Sequence, residues 1–201
     1  MKVIGICGSP REKSNTHYFL NYTLEELEKR DISTELIRLR DKKISHCTGC
    51  YKCLEAKECV IQDDMKEIMD KVIQADGLLL GTPVYHGSMT PLLKSLLDRM
   101  GFSGRWMKSE IGENYGKWQG TPFSGKIGAP ITVARRAGFT SAFEQILLWL
   151  SVNDFIIMGS NYWNVGIAGK AGSVNANEDE EGLANFEYLA NNMANLLKKI
   201  K

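Results

Sequence analysis

The sequence predicts a single α/β domain, built on a parallel sheet with helices on both faces. Two observations carry that expectation. Short, continuously apolar runs alternate with segments of helical periodicity along the whole chain, the pattern of strands buried on both faces by crossover helices. No repeat, low-complexity stretch or interdomain linker interrupts the 201 residues, a length that supports one large core.

The elements follow in order. Val3 to Cys7 is a short apolar run closed by Gly8, a buried strand in which Cys7 reads as a small hydrophobe. Residues 15–30 form a helix capped by Ser14 or Asn15, with Leu20, Leu24 and Leu27 on one face. Thr34 to Leu39 alternates apolar and polar side chains, as an outer strand would. A cysteine-rich loop over 45–62 comes next. Asp63 and Asp64 then offer caps for a helix carrying Met65, Ile68, Met69, Val72 and Ile73 at helical spacing. Gly77 to Val84 is a third strand, followed by a helix near Pro91–Met100. Residues 102–122 lack clean periodicity and hold Phe102, Trp106, Tyr115 and Trp118 among glycines, the pattern of a lid or interface arm. Ile127 to Val133 is a fourth strand, and the helix over 139–151 after it carries Phe143, Leu147, Leu148, Trp149 and Leu150. That helix is apolar on nearly every side, which points to a subunit contact on its outer face. Phe155 to Met158 is a fifth strand. The last helix, over 179–199, shows Phe186, Leu189, Met193, Leu196 and Ile200 as its stripe.

Charge and termini exclude several classes. Lys and Arg total 25 against 24 Asp and Glu, a net charge of +1, so the footprint of a nucleic-acid or anionic-membrane binder is missing. The N-terminal MKVIGICGSP has too short an apolar run for a signal peptide, and no stretch approaches the length of a transmembrane helix. A cytoplasmic protein with no membrane and no nucleic-acid partner is expected.

Four of the five cysteines fall in one run, Cys47-x-x-Cys50-x-x-Cys53-x5-Cys59. Soft thiolates supplied by one tight segment are the usual ligands of an iron–sulfur cluster. The run is similar to the bacterial ferredoxin pattern but ends without the following proline, so all four would serve one cluster. Zinc is the main rival, although structural zinc sites usually pair two Cys-x-x-Cys knuckles across a longer gap. Plain or redox-active thiols are a third reading, and disulfides need an oxidising compartment that nothing here indicates.

In a doubly wound sheet the ligand sits beyond the carboxyl ends of the strands. Three loops belong there. Gly8-Ser9-Pro10-Arg11-Glu12-Lys13-Ser14-Asn15-Thr16 brings hydroxyls, an amide, a cation and free backbone N–H groups to a helix start, which suits a phosphate. It lacks the glycine fingerprints of dinucleotide folds and P-loop NTPases. Thr82-Pro83-Val84-Tyr85-His86-Gly87-Ser88-Met89 could hold the edge of a flat heterocycle through its backbone. Ala134-Arg135-Arg136-Ala137-Gly138 adds cations and a flexible glycine. Of the three histidines, His17 reads as a helix-surface residue and His46 as a loop residue; only His86 carries functional weight, by its position.

Together GSPREKSNT, TPVYHGSMTPLLKSLLDR and ARRAG resemble the flavodoxin-like NAD(P)H-dependent FMN reductases, and CTGCYKCLEAKECVIQDDM narrows the resemblance to the iron–sulfur flavoproteins. The late segment DEEGLANFEYLANNMANLL is similar to that family's C-terminal helix. The resemblance implies a flavodoxin-like five-stranded sheet of order 2-1-3-4-5, FMN, one [4Fe–4S] cluster, and a homodimer or dimer of dimers. It implies that Ser9, Arg11, Ser14, Asn15 and Thr16 grip the FMN phosphate, and that Pro83, Val84, Tyr85, His86, Gly87 and Ser88 line the isoalloxazine. Ala134, Arg135, Arg136, Ala137 and Gly138 would close the far side, and Cys47, Cys50, Cys53 and Cys59 would ligate iron. His86 departs from the larger aromatic or amide expected there, and no nicotinamide-binding signature is present.

The two implied centres set the expected function. FMN takes two electrons and releases them singly, whereas a cluster passes one at a time. Electrons would enter from a ferredoxin-like carrier through the cluster, reach FMN across a subunit boundary, and leave to an acceptor. An NAD(P)H-dependent FMN or quinone reductase, and a flavodoxin-like protein with a zinc-stiffened loop, are the alternatives.

Overall fold

The computed structural model describes residues 1–108 and 120–200. Its sheet is entirely parallel, formed by β1 (Lys2–Cys7), β2 (Ser33–Arg38), β3 (Gly77–Pro83), β4 (Ile127–Ala134), β5 (Ile156–Ile157) and β6 (Val165–Ile167). The order is β2-β1-β3-β4-β5, with β6 also on β4, so the 2-1-3-4-5 arrangement is present. Every residue of β4, and all but the last of β3, is buried. That is why both read as unbroken apolar runs. On β2, at the edge, only Ile37 is fully buried.

The fifth strand departs from expectation. Only Ile156 and Ile157 pair, against the start of β4; the chain then leaves the sheet and returns as β6 against Thr132–Ala134. Because β3 occupies the opposite edge of β4 along its length, β5 and β6 are two parts of one interrupted edge strand. The break falls at Gly159-Ser160-Asn161, where the Ser160 hydroxyl donates to the Tyr162 carbonyl at 2.7 Å and closes a turn. A three-residue strand with a central glycine carries no readable period, so β6 was invisible in the sequence.

Two apolar layers sandwich the sheet. On one face lie α1 (Asn15–Glu28) and a long C-terminal helix, Glu180–Ile200, packed through Phe19, Leu20, Leu24, Phe186, Leu189 and Met193. Leu197 completes the C-terminal stripe, whereas Ile200, the final residue of that helix, is 47% exposed and falls outside it. The other face carries α3 (Met65–Gln74), α4 (Pro91–Met107) and α5 (Phe139–Val152), while α2 (Cys53–Ala56) is a single turn inside the cysteine loop. The Glu180–Ile200 helix is α6.

The segment 102–122 begins as helix, not as an irregular arm, because α4 continues through Met107. Gly101 and Gly104 look like breakers in sequence but are places of close packing. A Cβ on Gly104 would lie 2.8 Å from the Phe123 ring, and one on Gly101 would lie 2.9 Å from Trp149 Nε1. Tyr115 and Trp118 lie outside the described residues. Helix α5 buries Ala142, Ile146 and Leu150 and leaves Leu148 and Val152 on its outer face, 62% and 56% exposed. Among the described residues, no helix is long and apolar enough to cross a membrane.

Candidate functional site

At the carboxyl edge of the sheet, Thr90 ties the first and second loops together. Its hydroxyl donates to the Gly8 carbonyl at 2.7 Å and accepts the Leu93 N–H, capping α4, while its own N–H donates to the Thr82 hydroxyl. The Gly8 N–H reaches the Gly81 carbonyl, and the Val84 N–H the Val133 carbonyl. The carboxyl ends of β1, β3 and β4 are thereby held as one rim.

Below that rim lies a cleft of about 620 Å³, lined by Ser9, Arg11, Ser14, Asn15, Thr16, Pro83, Val84, Tyr85 and Arg135. This is the size range of small-molecule and cofactor sites. The donors differ from a simple phosphate cradle in two places. Ser14 is the cap of α1, its hydroxyl accepting the His17 N–H at 3.1 Å. Asn15 points its amide across the cleft and donates to the Val174 carbonyl at 2.7 Å. The backbone N–H groups of the first turn of α1 have no acceptor within the helix, and with the Ser9, Thr16 and Arg11 side chains they form an anion-seeking corner.

Asn15 holds a wall that sequence reasoning missed. The chain from Ala168 to Asn177 lines the cleft, with Gly169, Ala171 and Gly172 all at positive φ. The clue in sequence was the glycine pair in AGKAGS, next to no recognisable element.

The other expected residues stand beside the cleft lining, not on it. Ala134 is buried at the end of β4. His86 and Gly87, with φ of 50° and 77°, form the tip of a two-residue hairpin whose ends Tyr85 and Ser88 exchange backbone hydrogen bonds. Histidine, like asparagine, is among the residues enriched in left-handed backbone, which fits its place at this tip. The Ser88 hydroxyl donates to Gln145 Oε1 at 2.9 Å, so α5 holds this hairpin through a residue with no signal in sequence. Arg136 and Ala137 are exposed. Gly138, φ 85°, meets the hairpin: an added Cβ would lie 3.3 Å from Gly87 Cα and from Val84 Cγ1. Gly138→Ala is expected to cost roughly 1–3 kcal/mol through its left-handed backbone and to displace the hairpin. Chemical denaturation measures the first, and hydrogen exchange at the Tyr85 and Ser88 amides the second.

The second site is the cysteine loop. Cys47, Cys50, Cys53 and Cys59 all border one pocket, and all are free thiols. Burial pushes the Cys53 thiol up, and the neighbouring Cys59, Cys50 and Cys47 push it further, whereas the Lys52 N–H and the Thr48 hydroxyl draw Cys50 down. Crowded thiolates of this kind are relieved by a cationic centre. Among the described residues, no three His, Cys, Asp or Glu side chains gather closely enough to ligate one ion. Tyr51 packs edge-on against Phe102 of α4, ring centres 6.0 Å apart, at the pocket rim.

Beneath the pocket Arg99 and Asp63 form an ion pair of 2.6 Å with both side chains 1% exposed. Asp63 also accepts the Ser45 N–H at 2.8 Å and the Met65 N–H at 3.1 Å, joining the start of the cysteine loop to the start of α3. Burial alone would raise the Asp63 carboxyl, but the hydrogen bonds from Arg99, Ser45 and Met65 outweigh it and hold it below the ordinary carboxylate range. Asp63 was read from sequence only as a cap, and Arg99 was not singled out.

The family described as NADPH-dependent FMN reductase matches residues 1–170. An iron–sulfur flavoprotein of Methanocaldococcus jannaschii is 34% identical, with 100% of both chains covered. Among solved structures, RosB with bound 8-demethyl-8-formylriboflavin-5'-phosphate superposes with a TM-score of 0.76 at 18% identity, covering 100% of this chain and 80% of that one. A flavodoxin from the domain Archaea superposes with a TM-score of 0.61 at 14% identity, covering 98% and 99%.

Proposed function

Since the chain belongs to the NADPH-dependent FMN reductase family and is a flavodoxin-like oxidoreductase working with FMN, we propose that it is a two-centre electron-transfer protein. Its second centre is a [4Fe–4S] cluster held by Cys47, Cys50, Cys53 and Cys59. Electrons arrive from a small carrier of ferredoxin type, pass the cluster, and leave from FMN to an acceptor. The observation that carries this reading is the convergence of all four clustered thiols on one pocket, away from the flavin-sized cleft. The full-length similarity to a protein named iron–sulfur flavoprotein supports it.

FMN supplies two-electron chemistry that can proceed one electron at a time, matched to the single electrons a cluster carries. The chain's part is binding and insulation. Ser9, Thr16, Arg11 and the first-turn N–H groups of α1 hold the phosphate, with Ser14 and Asn15 fixing the cap and the opposite wall. Pro83, Val84 and Tyr85 present backbone and an aromatic edge to the ring. His86, Gly87 and Ser88 form the hairpin behind them, and Ala134, Arg135, Arg136, Ala137 and Gly138 close the far end with positive charge.

The family description favours a second reading, in which NAD(P)H reduces the flavin directly and free FMN or a quinone is the acceptor. Anaerobic assays with reduced ferredoxin, NADH and NADPH as competing donors separate the two. Iron, labile-sulfide and zinc analysis decides the metal, and zinc without iron would sink the cluster. For the flavin, Ser9→Ala is expected to weaken FMN by about 1–2 kcal/mol, a rise in Kd of roughly tenfold, with the fold intact. An unchanged Kd would remove Ser9 from the phosphate site.

The exposed Leu148 and Val152 on α5 support a homodimer or dimer of dimers, the arrangement in which one chain's cysteine loop serves a neighbour's flavin. Leu148→Glu is expected to sediment as a monomer; an unchanged oligomer would move the interface elsewhere.

A further inference from the structure

Arg99 heads the fully buried side chains by size. A guanidinium in that position is tolerated only when its donors are paired, since an unpaired buried cation costs several kcal/mol. Here the five N–H groups make five hydrogen bonds, and the partners fall into two sets. The first set is structural. Nη1 donates to the Ser45 carbonyl at 3.2 Å and to Asp63 Oδ2, and Nη2 donates to the Ile61 carbonyl at 3.1 Å. Ser45 lies two residues before the first cysteine of the run and Ile61 two residues after the last. One side chain therefore grips both ends of the loop.

The second set is chemical. Nε and Nη2 both donate to Cys59 Sγ, each at 3.4 Å. A neutral thiol is a weak acceptor and has little use for a charged fork of two donors. A thiolate, the form that ligates metal, is the group such a fork suits. Asp63 balances the guanidinium charge at 2.6 Å, so what reaches the sulfur is mainly a pair of aimed N–H dipoles.

We propose that Arg99 is a positioning residue of the cysteine site: it staples the two ends of the loop and, through its two N–H groups on Cys59, raises the reduction potential of the cluster held there. This rests on the cluster reading above. Reduction adds one electron, and so one negative charge, to the centre without transferring any atom. Hydrogen bonds to a ligating sulfur stabilise the more negative state and thus favour reduction. The staple acts separately, by limiting how far Cys47 and Cys59 can move apart when iron is lost.

The test compares anaerobically purified wild type, Arg99→Gln and Arg99→Lys, each with FMN bound. Iron and labile sulfide are measured first, and their absence from wild type would overturn the cluster reading rather than this one. Redox titration followed by electron paramagnetic resonance then gives the cluster midpoint, and visible absorption gives the flavin midpoint. Arg99→Gln is expected to move the cluster midpoint to more negative potential and leave the flavin midpoint in place. General loosening of the fold would not separate the two centres. Iron is expected to pass to a chelator roughly 10–100-fold more readily, the usual effect of losing a group that orients a metal ligand. Arg99→Lys keeps the buried charge but has no fork, and its cluster midpoint is expected to shift in the same direction. If Arg99→Gln fails to fold, Arg99→Lys carries the comparison alone. A wild-type cluster midpoint in either iron-loaded variant would overturn the inference.

Discussion

In Cys53→Ala protein purified without oxygen, iron and labile sulfide are expected to fall to background while FMN remains at wild-type stoichiometry. Cys53 opens the single helical turn α2 and faces the pocket shared with Cys47, Cys50 and Cys59. The remaining cysteine, Cys7, is buried in β1 and does not line this pocket, so no other thiol stands there to replace a lost ligand. The cleft at the carboxyl edge of the sheet, the proposed flavin site, draws on other segments, residues 9–18, 83–85, 133–135 and 168–177, and has no lining residue in common with the cysteine pocket. The two losses should therefore separate. Full iron content in the variant would sink the four-cysteine assignment, and loss of FMN together with iron would show that the two sites are one structural unit.

Asp63→Ala carries the largest expected loss of stability, roughly 3–5 kcal/mol, because it leaves the Arg99 cation buried without its partner. Denaturant unfolding at neutral pH measures it. The pH dependence identifies the source. Asp63 is held below its ordinary pKa in the folded protein, so its contribution is fully present above the unfolded value of about 3.9 and is lost as pH falls through the lower folded value. The gap between wild type and variant should accordingly narrow on going from pH 7 to below pH ~4. An equal gap at both ends of that range would mean that packing, not the ion pair, accounts for the difference.

Much of the site was readable because its chemistry is local. The cysteine run is a spacing, and the first-turn donors of α1 follow from Ser14 capping the helix that begins at Asn15. Arg99 was legible in part. It stands three residues after Leu96 and one before Met100, so it interrupts the apolar face of α4, and a charge on such a face asks for a buried partner. Which partner could not be read, since Asp63 is 36 positions away and Cys59 is 40. The same distance hides the partner of Asn15, whose amide donates to the Val174 carbonyl, 159 positions later.

By itself, then, the sequence determined what depends on neighbours along the chain: the alternation of strand and helix, the order of the loops at the carboxyl edge, and the thiols that can share a centre. Periodicity and spacing are properties of a few consecutive residues, and burial on both faces of a parallel sheet imprints them strongly. Only the tertiary structure decided the division of the fifth strand, the wall formed by residues 168–177, the hold of Gln145 on the Tyr85–Ser88 hairpin, and the clamp of Arg99 beneath Cys59. Each of these is a contact between segments far apart in sequence. Its energy comes from desolvation and hydrogen-bond geometry that exist only once the sheet has brought the segments together.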